Sequence, residues 1–165
     1  EKHFRTVFDE GKIPEDPTLY VVAPSRTDAS VCPEGCDNIK ILPHIPHLKK
    51  EGNPSRENYV ALRNRILEKM ERTALPGLRE SIITEDMWTP EDIQRRYYSN
   101  GGSIYGVVSD IKKNFAMKCP KKSTKYTNLY FTGGSVNPGG GMPMVVLCGQ
   151  NVAEMIDEEF SDRAV

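Results

Sequence analysis

A chain of 165 residues with 38% hydrophobic and 27% charged content has the make-up of a folded body that buries roughly two thirds of its unfolded surface, which excludes a disordered or fibrous protein. Its 22 basic and 23 acidic residues leave a formal charge of -1, and that balance argues against the basic excess by which nucleic-acid binders attract phosphates. Four unevenly spaced cysteines make no disulfide framework, so a reducing cytoplasm is the expected home, and no apolar run approaches the length of about 20 residues that crosses a bilayer.

The first residues, Glu1 to Arg5, are charged and show neither a signal-peptide core nor an initiator methionine, so the chain is expected to be cut from something longer. Pro14-Glu15-Asp16-Pro17 then forms a stiff turn into a β-rich run, Thr18 to Ala23. A second strand is expected over Asn38 to Leu42, where apolar and polar residues alternate, with a loop from Pro24 to Asp37 joining neighbouring strands. Asn53-Pro54-Ser55 opens a helix with Ser55 as its cap. Tyr59, Leu62, Ile66, Leu67 and Met70 recur at helical spacing and predict one apolar stripe against a core.

Pro76-Gly77 ends that helix, and Leu78 to Trp88 reads as extended. Thr89 caps a short helix with Pro90 in its first position, which Ser99-Asn100-Gly101-Gly102 breaks. Lys112 to Thr127 is a lysine-rich polar connection, and its paired lysines read as solvated charges.

The most informative segment runs from Asn128 to Pro143. Leu129 to Phe131, apolar on both faces, predicts a buried strand. It leads into a loop carrying Gly133, Gly134, Gly139, Gly140 and Gly141, and Pro143 fits the first turn of a final helix reaching about Phe160. The helix start points unpaired N–H groups and its positive dipole end at whatever fills the loop, an arrangement suited to a phosphate-bearing cofactor. A ligand-free structural turn is equally compatible with the glycines alone. A mononucleotide P-loop is not, since Met142-Pro143 stands where Lys-Ser/Thr is required.

These landmarks, taken in order, resemble the carotenoid (phytoene-type) desaturases of the amine-oxidase-like group of FAD enzymes. The likeness rests on Phe8-Asp9-Glu10, Leu19-Tyr20-Val21, Asp28, Cys32-Pro33-Glu34-Gly35-Cys36 and Leu42-Pro43-His44-Ile45-Pro46-His47-Leu48. Thr89 to Asp92, Gly101 to Gly106 and the glycine segment extend it over nearly the whole chain.

The resemblance implies a mixed α/β (α+β) fold, part of a two-domain flavoprotein whose Rossmann-type FAD domain holds an inserted substrate domain. On that pattern residues 1–105 belong to the substrate domain and residues 106–127 connect. Residues 128–165 supply the closing strand, glycine loop and helix of the FAD domain. Gly133, Gly134 and Ser135 match the turn along the cofactor's ribityl and phosphate region. Gly139, Gly140, Gly141, Met142 and Pro143 match the loop and helix start beside the isoalloxazine ring, acting mainly through backbone. The amino-terminal G-x-G-x-x-G fingerprint of such enzymes is not in this chain, and Asn137 stands where many relatives carry histidine.

Implied too are non-covalent FAD, weakly held or not at all by this portion alone, and desaturation of a polyene hydrocarbon of phytoene, diapophytoene or hydroxycarotenoid type. In the family, hydride passes to flavin, and oxygen or a quinone reoxidises it. The parent enzyme would sit peripherally on a membrane that holds its substrate. Ile104, Tyr105, Val107, Met142 and Met144 are candidates for an apolar substrate tunnel, though each one singly reads first as ordinary core. No residue is assigned as catalytic acid or base.

The alternatives are a zinc-binding domain built on Cys32, Cys36, His44 and His47, and a non-catalytic partner-binding domain that merely inherited the fold. The C-x3-C-x7-H-x2-H spacing of those four residues is short for a finger, and an extended segment turns the two histidines to opposite faces. Another amine-oxidase-like flavin oxidase is a further alternative. Cys148 is expected to pack inside the last helix, His3 to be exposed, and Trp88 to anchor the turn before its helix.

Overall fold

The apolar stripe of the central helix organises the first half of the chain. In the computed structural model, which describes residues 2–108, 112, 115 and 117–161, contacts divide the chain into two units, Glu1–Glu91 and Asp92–Val165.

The first unit begins with a short helix α1 (Lys2–Arg5) that widens into a π-helical turn, Thr6–Glu10, ended by Gly11 in the left-handed conformation. Strands β1 (Leu19–Val22) and β2 (Lys40–Pro43) pair antiparallel, with Leu19 opposite Pro43 and Val22 opposite Lys40. Both lie within the expected segments save that β2 ends one residue later, and the connection between them holds two short 3-10 turns, Pro24–Arg26 and Ala29–Val31.

Helix α2 (Arg56–Thr73) starts where the Ser55 cap predicts, with a Ser55–Asn58 capping box in which the Ser55 N–H donates to Asn58 Oδ1 at 2.8 Å. All five stripe residues, Tyr59, Leu62, Ile66, Leu67 and Met70, are buried. Four of them form the core cluster, against which Leu19 and Ile41 of the hairpin pack. Apolar area removed from water along this stripe is the main force holding the hairpin to the helix.

After α2 the structure departs from the extended expectation. Leu78 to Trp88 contains a 3-10 turn, Arg79–Ser81, and no strand. Its polar groups turn back to α2 instead: the Arg79 N–H donates to Glu71 Oε1 at 3.0 Å, and Arg63 Nε donates to Glu85 Oε1 at 2.8 Å. Side-chain partners on the helix thus satisfy a segment that the sequence reads only as extended. Trp88, half-exposed, donates its indole N–H to Asp86 and braces the turn before helix α3 (Pro90–Tyr97). The unit boundary falls within α3, whose expected cap residue Thr89 is buried.

In the second unit a 3-10 turn, Asn100–Gly102, follows α3, and helix α4 (Met142–Ser161) closes the chain. Cys148 and Val152 are buried along α4, whereas Phe160 near its end is 43% exposed. The buried strand expected at Leu129–Phe131 is not formed. Tyr130 makes a single antiparallel bridge with Lys122, flanked by Ser123 N–H to Leu129 O and Phe131 N–H to Lys121 O, both 2.8 Å. Leu129 and Phe131 remain 39% and 40% exposed. With one short partner segment and no named strand beside it among the described residues, the run cannot bury both faces.

Glu159 ties this bridge to α4. Tyr130 donates its hydroxyl to Glu159 Oε2 at 2.6 Å, and Lys122 pairs with the same oxygen. That carboxylate raises the pKa of both Lys122 and Tyr130, since each hydrogen bond favours the proton-bearing form.

Candidate functional site

The glycine loop divides into two kinds of position. Gly134 and Gly140 make room for the chain itself: a Cβ on Gly140 would stand 2.6 Å from the Tyr105 carbonyl oxygen, and one on Gly134 would stand 3.3 Å from it. Gly106 has the same duty from the other side, with φ +71 and a Cβ position 2.9 Å from the Ser135 nitrogen. The 105–106 backbone therefore lies directly in the loop.

Gly133 and Gly141 differ. They adopt φ of +117 and +103, and open space surrounds the position where a Cβ would stand. Gly139, at φ +125, is neighboured by the Lys118 side chain at 3.1 Å. Positive φ turns successive amides in directions unavailable to ordinary residues, and the open sides leave room for a ligand to approach the main chain.

Several hydrogen bonds hold this geometry. Val136 N–H donates to Gly133 O at 3.0 Å and closes a turn over Gly134 and Ser135, with Val136 buried beneath. Cys119 N–H donates to Ser135 O at 3.0 Å, and Val107 N–H reaches Ser135 Oγ at 3.4 Å. Lys118 donates to Gly134 O at 3.1 Å and also to the Val107 carbonyl, joining the loop to the 103–107 segment. Nothing in its spacing marked Lys118 among the many lysines of the 112–127 connection.

Helix α4 begins at the mouth of the loop. Met142 is its first residue, Pro143 lies in the first turn, and Val145 N–H makes the first i→i+4 bond to Gly141 O at 2.9 Å. The first-turn amides precede that ladder, and they add the positive end of the helix dipole to the turn at Gly141. An FAD group fits the features that the chain presents here: main chain made approachable at Gly133 and Gly141, beside a helix N-terminus that favours negative charge.

The five tunnel candidates are not core. Ile104, Tyr105, Val107, Met142 and Met144 are 63%, 62%, 42%, 79% and 40% exposed, so the ordinary core reading is corrected for each. They are apolar surface on the same segments that build the glycine loop.

Cys32 and Cys36 sit together on a turn, whereas His44 and His47 are exposed further along. Among the described residues no three histidine, cysteine or acidic side chains converge as a metal-ligand set. His3, expected in solvent, instead packs edge-on to Phe4 and His44, with centroid separations of 5.2 and 6.1 Å and both ring nitrogens buried. Burial first, and His44 second, lower its pKa. A cleft of about 540 Å³ in the first unit lies between the hairpin and the end of α2, lined by Leu19, Val21, Met70 and Leu75 and bordered by Arg26, Asp37 and Lys69. No helix among the described residues is long and apolar enough to cross a membrane.

No protein-family model matches the chain. Individual relatives do. It is 56% identical over 155 residues to a 4,4'-diapolycopene oxygenase from Methylomonas sp, an alignment spanning 94% of this chain and 31% of that protein. It is 52% identical over the same span to the 4,4'-diaponeurosporene oxygenase of Staphylococcus aureus (strain USA300), with the same coverage. The counterpart in Staphylococcus haemolyticus is 50% identical over 157 residues, which make up 95% of this chain and 31% of that protein. The chain thus spans about a third of the length of the curated relatives it matches. It is a homologue of part of these carotenoid-modifying enzymes.

Proposed function

We propose that this chain is the carboxy-terminal portion of an FAD-dependent oxidoreductase that modifies a long polyene hydrocarbon of carotenoid type. The observation that carries the proposal is the 50–56% identity, over nearly the whole chain, to proteins named for oxygenation of diapolycopene and diaponeurosporene. The loop geometry supports the cofactor assignment, since Gly133 and Gly141 combine positive φ with open sides at the start of α4. In this reading residues 1–105 belong to a substrate domain and residues 128–165 complete a Rossmann-type FAD domain.

FAD, when bound without a covalent link, supplies the two-electron chemistry. The chain's own contribution is positioning. Gly133, Gly134 and Ser135 would present backbone along the ribityl and phosphate region, and Gly139, Gly140, Gly141, Met142 and Pro143 would border the ring. Tyr105, packed by its backbone into the loop, carries the neighbouring Ile104 and Val107 to the same place, so the exposed apolar groups there are suited to exclude water around a polyene. A hydrocarbon offers no polar handle, and a wall of Ile104, Val107, Met142 and Met144 matches it by shape and apolarity.

The names of the relatives favour oxygen insertion as the reaction. The ordered motifs favour a second reading, desaturation of a CH–CH pair with oxygen or a quinone as final acceptor. Both readings place the parent enzyme peripherally on the membrane that dissolves its substrate.

Product analysis separates them. The full-length enzyme, supplied with a diapocarotenoid under 18O2, is expected to give a product carrying the heavy isotope. A product with a longer conjugated chromophore and no added oxygen would support the desaturase reading, and conversion of neither kind would overturn the proposal.

A further inference from the structure

We propose that Cys32 and Cys36 form a reversible intramolecular disulfide within the arm joining β1 to β2. The inference is independent of the flavin reading and rests on the first unit alone.

The sequence places the two thiols four residues apart around Pro33-Glu34-Gly35, and the structure folds that interval back on itself. Cys36 N–H donates to Pro33 O at 3.1 Å, and Gly35 takes φ +77, the left-handed conformation such a reversal requires. The result is a direct contact: Cys32 Sγ lies 3.0 Å from the Cys36 carbonyl oxygen. A disulfide needs Cα atoms about 4.4 to 6.8 Å apart and sulfurs free to rotate towards each other. The Cys32 sulfur already touches the main chain of Cys36 at a turn that contains glycine, so the bridge requires only that side-chain rotation bring the two sulfurs together. Both cysteines are half-buried, open to a small oxidant, whereas Cys148 is fully enclosed.

The arm is already fastened at its base. Asp37 accepts from Ser25 Oγ at 2.9 Å and from Arg26 at 2.5 Å, and Asn38 N–H donates to Ser25 Oγ at 3.2 Å. Arg26 and Asp37 border the 540 Å³ cleft. A second link next to that base closes the Pro33–Gly35 turn that leads directly into Asp37, so oxidation stiffens one border of that cleft. In a reducing compartment such a bridge is transient, as redox-sensing disulfides are.

Hydrogen peroxide supplies the oxidising equivalents. One thiolate attacks a peroxide oxygen, the O–O bond breaks, and the products are a sulfenic acid and hydroxide, which takes up the proton the thiol released to form water. The second thiol attacks the sulfenic sulfur, the S–S bond forms, and a second water leaves. Two thiols thereby lose two electrons and the peroxide gains them, and exchange with a small dithiol restores the reduced pair.

The test is peroxide treatment of the chain, alkylation with iodoacetamide, proteolysis and mass spectrometry. The peptide holding both cysteines is expected to lose two hydrogens and escape alkylation, dithiothreitol is expected to reverse the change, and amide exchange over Val31–Asp37 is expected to slow in the oxidised form. Cys32→Ser and Cys36→Ser should each abolish the mass loss and leave the remaining thiol reactive. Full alkylation of both thiols after peroxide would overturn the proposal. So would a disulfide from either cysteine to Cys119 or to a second copy of the chain.

Discussion

The carbonyl oxygen of Tyr105 occupies the space beside Gly140 that any other residue's Cβ would need, at a separation of only 2.6 Å. The obstacle is backbone, which cannot rotate aside as the end of a lysine would. Gly140→Ala is therefore expected to push the 103–107 segment out of the loop at a cost of about 1–3 kcal/mol. Denaturant unfolding and faster amide exchange at Val107 would register it. Gly133→Ala meets no atom but must hold a φ of +117, so its penalty should come without displacement of Tyr105.

The core of the first unit gives a paired test. Leu62 is 3% exposed in the α2 stripe, and Leu62→Ala is expected to cost about 2–5 kcal/mol through lost burial and the cavity left behind. Tyr59 is 4% exposed, and its hydroxyl is buried with no hydrogen-bond partner among the described residues. Burial, and then the Glu91 charge, raise its pKa and keep it neutral. Tyr59→Phe removes an unsatisfied group without changing the packing and should leave stability unchanged or raise it by up to about 1 kcal/mol. Paired melting curves of the two variants check both directions.

Acid should loosen the first unit, and alkali should loosen both. In the first, Arg63 holds Glu85 below the usual carboxylate range, Lys69 does so for Asp16, and Ser25 with Arg26 does so for Asp37. A depressed folded-state pKa contributes stability above the unfolded value, here near 3.8 to 4.5, and that contribution is lost as pH falls through the folded value. In the second unit the shifts of Lys122 and Tyr130 run upwards from 10.5 and 10.0. Their contribution is complete below those unfolded values and is lost as pH rises through the folded ones. Amide exchange followed across pH should show the first unit loosening in acid, and in alkali the second unit loosening through Lys122 and Tyr130 and the first through Tyr59. Glu159→Gln should remove most of the alkaline effect in the second unit.

Much of the first unit was legible from spacing. The Ser55 cap and the Tyr59–Met70 stripe specify α2 because a helix satisfies its own backbone and needs only one apolar face. The hairpin was equally plain, its two β-rich runs joined by a polar arm. The Leu78–Trp88 segment was not, because its hydrogen bonds go to Glu71 and Arg63 on α2, partners that local pattern does not reveal. In the site, positive φ and the start of α4 followed from the glycines and Pro143. The burial of His3 and the bracing role of Lys118 depended on contacts across 41 and 16 residues, to His44 and Gly134 respectively, and carried no local signal. Leu129–Phe131 misled for a related reason: an apolar run becomes a buried strand only where neighbours cover both faces.

Flavin content tests the central claim most directly. The full-length enzyme that carries this sequence is expected to purify with about one equivalent of non-covalent FAD per chain. Gly141→Val, which fills the open side at the start of α4 and must also hold a φ of +103, should lower that occupancy further than the strain-only Gly141→Ala does, with circular dichroism confirming that both variants stay folded. The 165-residue chain alone should hold little or none. A colourless full-length enzyme that still converts its polyene, or a Gly141→Val enzyme with undiminished flavin, would contradict the assignment of this loop to FAD.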